Sequence, residues 1–366
     1  MNTNNSQIRS EYCQCHENPQ WDAFVANIHG ANYEQTSVWA EISIKNNFCN
    51  DYYRIIIYQE KTIIAGTQIL IRNYGNYARI GIVSQGPCLP ENTSPAVVDL
   101  LIREIKKSVH EKNLLYLAID VFNHLQPLPP YLIKAGFKKA IKALPPHPFI
   151  ESTAITDIAK TEAEIFKQFD PRRKRNIKTG CKLNFSIREG DRKDINIFFS
   201  LMKSTCKRRG TKPIFRQIDY FYSVWDRFHP KGWIKLYIAE VNQQPVCSVI
   251  GYTFGDTFRY EYWGWNGEYA REKITEAFQW KNMLTVKNMG FKYYDYVQLD
   301  PVVYKAILSK KEMTVAVKNR ELYGATYFKL LWKGTIIDYP GVFTYYKNKL
   351  IHLAMILVSK IIGPYN

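Results

Sequence analysis

Apolar and polar positions along this chain switch between a period near two and a period near 3.6, and the order of the switches occurs twice. Residues 52–71, YYRIIIYQEKTIIAGTQILI, predict strand, tight polar turn and strand, and YARIGIVSQGPCL at 77–89 predicts a further strand. SPAVVDLLIREIKKSVHEKN at 94–113 spaces its apolar residues as a helix does, and LLYLAIDV at 114–121 reads as a buried strand. The second half repeats the series. KLYIAEVNQQPVCSVIGYTFG gives strand, turn and strand, DTFRYEYWGW a strand, AREKITEAFQWKNMLTVKNMG a helix and FKYYDYV the closing strand. Helical patterns precede each series: NPQWDAFVANI with SVWAEISIKNN, and DINIFFSLMKSTCKRRG with RQIDYFYSVWDRF. The fold class is therefore α/β, with two tandem units of largely antiparallel mixed sheet flanked by helices. The expected boundaries are 1–152, 153–335 and a closing strand and helix at 336–366 that packs back on the protein. ALPPHPFIESTAITDIAK at 143–160 reads as the crossover between units.

Charge sharpens this division. The net charge is +17, yet residues 1–152 carry 14 Lys and Arg against 13 Asp and Glu, leaving 36 against 20 for the remainder. An excess confined to one half points to a polyanionic partner there. Its densest stretch, FDPRRKRNIKTGCK at 169–182, predicts a short helix with Asp170 as N-cap, Pro171 in the first turn and Gly180 as the stop. Arg172, Arg173, Lys174, Arg175 and Lys178 are spread around it, as on an exposed helix or one lying against polyanion.

Composition narrows the remaining choices. A hydrophobic fraction of 46% with 14% aromatics excludes a disordered chain. Seven scattered cysteines form no disulfide framework, which predicts a reducing, cytoplasmic setting. Cys13, Cys15 and His16 have no second ligand pair at zinc-finger spacing, so no metal is expected. The first twelve residues lack the apolar core of a secretory signal. The apolar run from Leu350 to Val358 is too short to span a bilayer; it predicts a final helix on the protein, with interfacial membrane contact as the alternative.

QTSVWAEI around Trp39, SQGPCL, AGFKKA with FIESTAITDI, the Arg-rich helix, RQIDYFYSVWDRF, LYIAEVNQQPVCSVIGY, YEYWGWNGEY and YFKLLWKG follow one another in an order that resembles the FemABX aminoacyltransferases. The resemblance covers about residues 20–340 and rests on that order, since no single motif is strongly specific. It implies two tandem GNAT-like (acyl-CoA N-acyltransferase-like) domains, with the acceptor held by the first and the donor by the second. It also implies transfer of an amino acid from aminoacyl-tRNA to an amine of a peptidoglycan precursor, by a monomer at the inner face of the membrane and without a cofactor. Three positions depart from the family pattern: Ser43 where a Lys is common, Val297 where a Gly usually follows, and Leu330 where a Gly-rich run begins.

The resemblance assigns roles to individual residues. Lys329, in the strand-like TYFKLLW, matches the Lys thought to assist at the reacting carbonyl, and Arg216 matches a position that holds an acceptor diphosphate. Asp295, at the end of an apolar strand, is a candidate active-site carboxylate. Tyr260 and Tyr262 alternate along RYEYWGW toward a donor groove, Trp39 walls the acceptor cleft, and Lys45 is the nearest base to Ser43. Arg172, Arg173, Arg175 and Lys178, with Arg208 and Arg209, form the expected landing surface for donor phosphates. Each has an ordinary structural counterpart: a strand Lys with its head in water, a helix-start Arg, a loop-capping Asp, core aromatics. A CoA donor would need glycines where YAREKITEAF has none. Two rivals stay open: an acyl-CoA N-acyltransferase acting on an amino sugar of an exported polysaccharide, and a non-catalytic RNA- or membrane-surface-binding protein.

Overall fold

Each strand–helix series closes into its own seven-stranded sheet. The computed structural model describes residues 8–75, 78–122, 125, 127–141, 144–145, 150–309 and 314–362. The start of the N-terminal stretch and the crossover prolines Pro146 and Pro148 lie outside them. The chain divides into Met1–Phe149 with Tyr339–Asn366, and Ile150–Asp338.

The first unit contains β1 (Ile8–Cys13), α1 (Pro19–Asn27), α2 (Ser37–Lys45), β2 (Asp51–Gln59), β3 (Thr62–Tyr74), β4 (Ala78–Gly86), α3 (Pro95–Glu111), β5 (Tyr116–Val121), α4 (Leu128–Lys134) and β6 (Lys138–Lys139). The end of the chain returns to it as β14 (Gly341–Tyr346) and α13 (Lys349–Ile362). The sheet order is β1-β2-β3-β4-β5-β14-β6, parallel only between β4 and β5. Asn18 and Thr36 accept from the backbone N–H groups of Trp21 and Trp39 and so start α1 and α2. Val97, Val98, Leu101, Ile102, Ile105 and Val109 bury one face of α3 against Ile55, Ile57, Ile69 and Ile71.

The second unit contains β7 (Ser152–Asp157), α5 (Glu162–Gln168), α6 (Pro171–Gly180), β8 (Ser186–Glu189), α7 (Ile195–Arg209), α8 (Asp219–Phe228), β9 (Ile234–Val241), β10 (Gln244–Phe254), β11 (Thr257–Trp265), α9 (Ile274–Asn288), β12 (Tyr293–Gln298), α10 (Pro301–Leu308), α11 (Val315–Lys318), α12 (Tyr323–Leu330) and β13 (Thr335–Asp338). Its order, β13-β7-β12-β11-β10-β9-β8, repeats the first sheet: edge strand, meander, one parallel pair, then two antiparallel strands. Part of the expected crossover is thus itself a strand, β7. Asp170 caps α6 by accepting from Arg172 N–H (2.9 Å), as its sequence predicts. Gly180 lets α6 approach α9 closely, since a Cβ there would stand 2.4 Å from the Lys273 carbonyl oxygen.

One expectation changes. Cys13 and Cys15 are joined as a disulfide, against the reading that the cysteines form none; the extended backbone around β1 brings their Cα atoms to 5.7 Å. The final helix packs back on the protein as expected, on the first unit and through Ile351 and Met355.

Candidate active site

In the second sheet the parallel strands β11 and β12 pair at Thr257–Tyr293, Phe258–Tyr294 and Arg259–Asp295, and then part. Both strands are irregular at that level. On β11, Tyr260 pairs with Gly251 and Tyr262 with Ile250, so Glu261 bulges out of the ladder. On β12, the pairing with β7 slips between Asp295 and Gln298, and Val297 sits at φ +60°. Parted strands leave backbone and side-chain polar groups that the ladder no longer uses.

A line of charge crosses the gap. Asp295 is buried; its Oδ1 accepts from Val297 N–H (2.7 Å) and from the Thr153 hydroxyl, and its Oδ2 lies 3.5 Å from Arg259 Nη1. Arg259 Nε stands 3.5 Å from Glu261 Oε2. Burial pushes the Glu261 carboxyl above its usual range, while Arg259 pulls it down. Lys329 reaches in from α12 and donates to the Gln298 carbonyl oxygen at 2.8 Å. Removal from water lowers its ammonium to about 8; Asp295 and Glu261 oppose that shift and Arg209 adds to it. The group is a cation near neutrality, held in low dielectric at the open end of a strand pair. Such a donor can stabilise an oxyanion.

The predicted residues fall into three sets. Lys329 and Asp295 come together as described, although Lys329 is carried by a helix and not by a strand. The run is too short for its period to separate the two, and Thr326 buries its hydroxyl by accepting from Asp300 N–H (3.0 Å) inside a helical turn. Arg209 joins them, lying 5.4 Å over the Trp263 ring. Arg208 lies 4.4 Å over Trp265 and donates to that residue's carbonyl oxygen (2.6 Å). The bulge at Glu261 sends Tyr260 and Tyr262 to opposite faces: Tyr260 packs near Tyr294, whereas Tyr262 meets Phe215, Tyr220 and Phe221. They do not share a groove wall.

Arg173 is the largest departure among the basic residues. It is buried, not part of a landing surface, because α6 turns it inward. There it lies 4.0 Å over the Phe328 ring, donates to the Phe328 carbonyl oxygen (2.7 Å) and pairs with Glu276 at 3.4 Å. Burial lowers its guanidinium to about 10. Arg172 donates to the Tyr327 hydroxyl at 2.7 Å, so two bases of α6 hold the turn that carries Lys329. Arg175 and Lys178 are exposed. Arg216 lies exposed in the turn before α8, and no contact among the described residues links it to Lys329. In the first unit, Trp39 is buried edge-on to Tyr33 (ring centres 5.2 Å apart) and Lys45 is exposed in the last turn of α2. Arg259, Glu261 and Thr153 were not anticipated. Their signal was two opposite charges two positions apart inside an aromatic strand.

The model of the FemAB family matches residues 149–250. A lipid II:glycine glycyltransferase of Staphylococcus epidermidis is 26% identical over 242 residues, 64% of this chain and 56% of that one. Its Staphylococcus aureus counterpart is 31% identical over 101 residues, a quarter of this chain. The matched part spans a little over half the length of the first of these relatives. A crystal structure of FemX shares the fold at a TM-score of 0.78 with 18% identity, covering 94% of this chain and 99% of that one. The two tandem α/β units expected above are thus the fold shared with that FemX structure.

Proposed function

We propose that this chain, whose residues 149–250 match the FemAB family, is a FemABX-type aminoacyltransferase acting on an amine of a lipid-linked peptidoglycan precursor. The relatives named for glycine transfer to lipid II supply the reaction class. The observation that carries it in this chain is the half-buried Lys329 ammonium at the opening of β11 and β12. The neutral acceptor amine attacks the aminoacyl ester carbonyl. The oxygen that becomes negative accepts from Lys329 Nζ–H while the C–N bond forms. Collapse breaks the ester C–O bond, and the proton lost by the amine goes to the departing ribose oxygen. Asp295 and Glu261, fixed by Arg259, keep Lys329 charged against the cost of burial. Trp39 and Lys45 act on the acceptor side and Arg216 on its phosphates.

The donor is aminoacyl-tRNA, held by Arg175, Lys178, Arg208 and Arg209, in a protein working at the cytoplasmic face of the membrane. The observation that favours it over acyl-CoA is the start of α9. That turn is filled by α6 at Gly180, and Glu276 places a carboxylate in the first helical turn, where a pyrophosphate would be repelled. Purified chain incubated with a panel of charged tRNAs and a lipid II-type acceptor is expected to transfer label, and Lys329→Met to reduce that transfer by about 10²–10³-fold. Transfer from acyl-CoA alone, or from neither donor, would sink the assignment.

A further inference from the structure

Helix α13 presents a face that no described residue of its own unit covers. Leu350, Leu353, Leu357 and Ile361 are 76%, 57%, 61% and 85% exposed. Their spacing of three, four and four residues sets them along one side of the helix. The opposite side is anchored: Ile351 and Met355 pack against Ile80, Tyr116 and Tyr346, and the His352 ring lies 4.6 Å from that of Tyr346. The stripe is therefore held outward by a docked helix. Exposed Lys349 and Lys360 sit at its two ends, and from Tyr339 to the end of the chain there is no Asp or Glu.

We propose that α13 is an interfacial anchor that lays Leu350, Leu353, Leu357 and Ile361 into an anionic lipid surface. Fourteen residues give a rod about 21 Å long, and no described helix is long and apolar enough to cross a membrane. The helix lies in the plane of the headgroups, with its lysines reaching lipid phosphates and its leucines in the acyl boundary. Charge complementarity selects this occupant over a second copy of the chain. Two such stripes laid together antiparallel would bring Lys349 beside Lys360 of the other copy, with no carboxylate in the segment to relieve them. The inference rests on the proposed function only in that a lipid-linked acceptor gives the docking a purpose.

The test is cosedimentation of the full chain with vesicles of phosphatidylcholine alone and with about 30% phosphatidylglycerol, at ~0.1 M salt. Binding to the anionic vesicles is expected. Leu353→Ser with Leu357→Ser should lower the partition coefficient roughly a hundredfold. Lys349→Gln with Lys360→Gln should lower it roughly tenfold and flatten its salt dependence. All four side chains are exposed, so an unchanged unfolding midpoint accompanies each variant. Failure of the parent to bind, or equal binding by the leucine variant, overturns the proposal. So does a concentration-dependent dimer that the leucine variant abolishes in the absence of vesicle binding. Transfer to a lipid-free acceptor separates the two readings. The leucine variant should retain it, and its absence in the parent would count against the enzyme assignment alone.

Discussion

The two units share a strand order and differ where their parallel strands end. In the first, β4 and β5 pair from Ile80–Tyr116 to Val83–Ile119, slip at Gln85, and pair again at Gly86–Val121. Gln85, at φ +49°, turns its amide across the slip to donate to Asp120 Oδ2 at 2.7 Å, and the pair is shut. In the second, β11 and β12 stop pairing at Arg259–Asp295, just before the bulge that Glu261 makes against β10, and Arg259, Glu261, Asp295 and Lys329 converge there. One sheet spends its irregularity on a neutral amide and one carboxyl, the other on a charge network. Topology alone therefore does not distinguish the two units; the failure of two strands to pair does.

The most severe way to break this comparison is to remove the charge that holds the open pair. Arg259→Met leaves Asp295 and Glu261 facing each other in a buried setting, and should cost about 3–5 kcal/mol. Chemical denaturation with a fluorescence probe measures it. A loss under about 1 kcal/mol would mean that the network is solvated and the two units are alike after all. Next in size, Lys329→Met should reduce transfer by about 10²–10³-fold with little change in melting temperature. Lys329→Arg keeps the cation and separates charge from shape. The cationic form is needed and prevails below about 8, so the transfer rate should fall as pH rises through that value. In Lys329→Arg that descending limb should vanish. Its persistence would place the titrating group elsewhere.

How much of this was legible differs between the units for a physical reason. The doubled meander, the helices and the capped basic helix were readable because amphipathic periods and cap residues are local signals. Long-range pairing is not local, so a closing strand that packs back is readable but the sheet that β14 joins and the role of β7 are not. The site was half readable. Lys329 and Asp295 follow from motif order, but a one-residue bulge decides that Tyr260 and Tyr262 part, and no periodicity shows it. Arg173 illustrates the converse: within RRKR the sequence gives no sign which base turns inward.

A third change tests the shut pair. Burial raises the Asp120 carboxyl to about 7, and the Gln85 hydrogen bond opposes this only in part. A carboxyl raised in the folded state binds its proton more tightly than in the unfolded chain. It therefore favours folding at low pH and loses that advantage as pH climbs from the ordinary carboxylate range through about 7. Between pH 5 and 7 the parent should lose up to about 1.4 kcal/mol per pH unit relative to Asp120→Asn. Urea midpoints of both proteins across that range give the difference. A flat difference would show Asp120 already ionised, and the first unit would then hold a charged site like the second.

The smallest effect lies within a single helix. Arg173 and Arg175 stand two positions apart on α6, one stacked under Phe328 and the other in water. If the open sheet is served by α6 in two ways, the two arginines must fail differently. Arg175→Gln removes one phosphate contact, so it should weaken donor binding only a few-fold and reduce the salt slope by about one, with unchanged turnover at saturation. Arg173→Met leaves the Phe328 carbonyl and Glu276 without their cation, so it should lower stability and turnover while the salt slope stays put. Filter binding of charged tRNA across a salt series, alongside single-turnover transfer, reads both quantities. Should Arg175→Gln leave the slope unaltered, the exposed side of α6 is only a solvated surface. The charge asymmetry between the units would then need another partner.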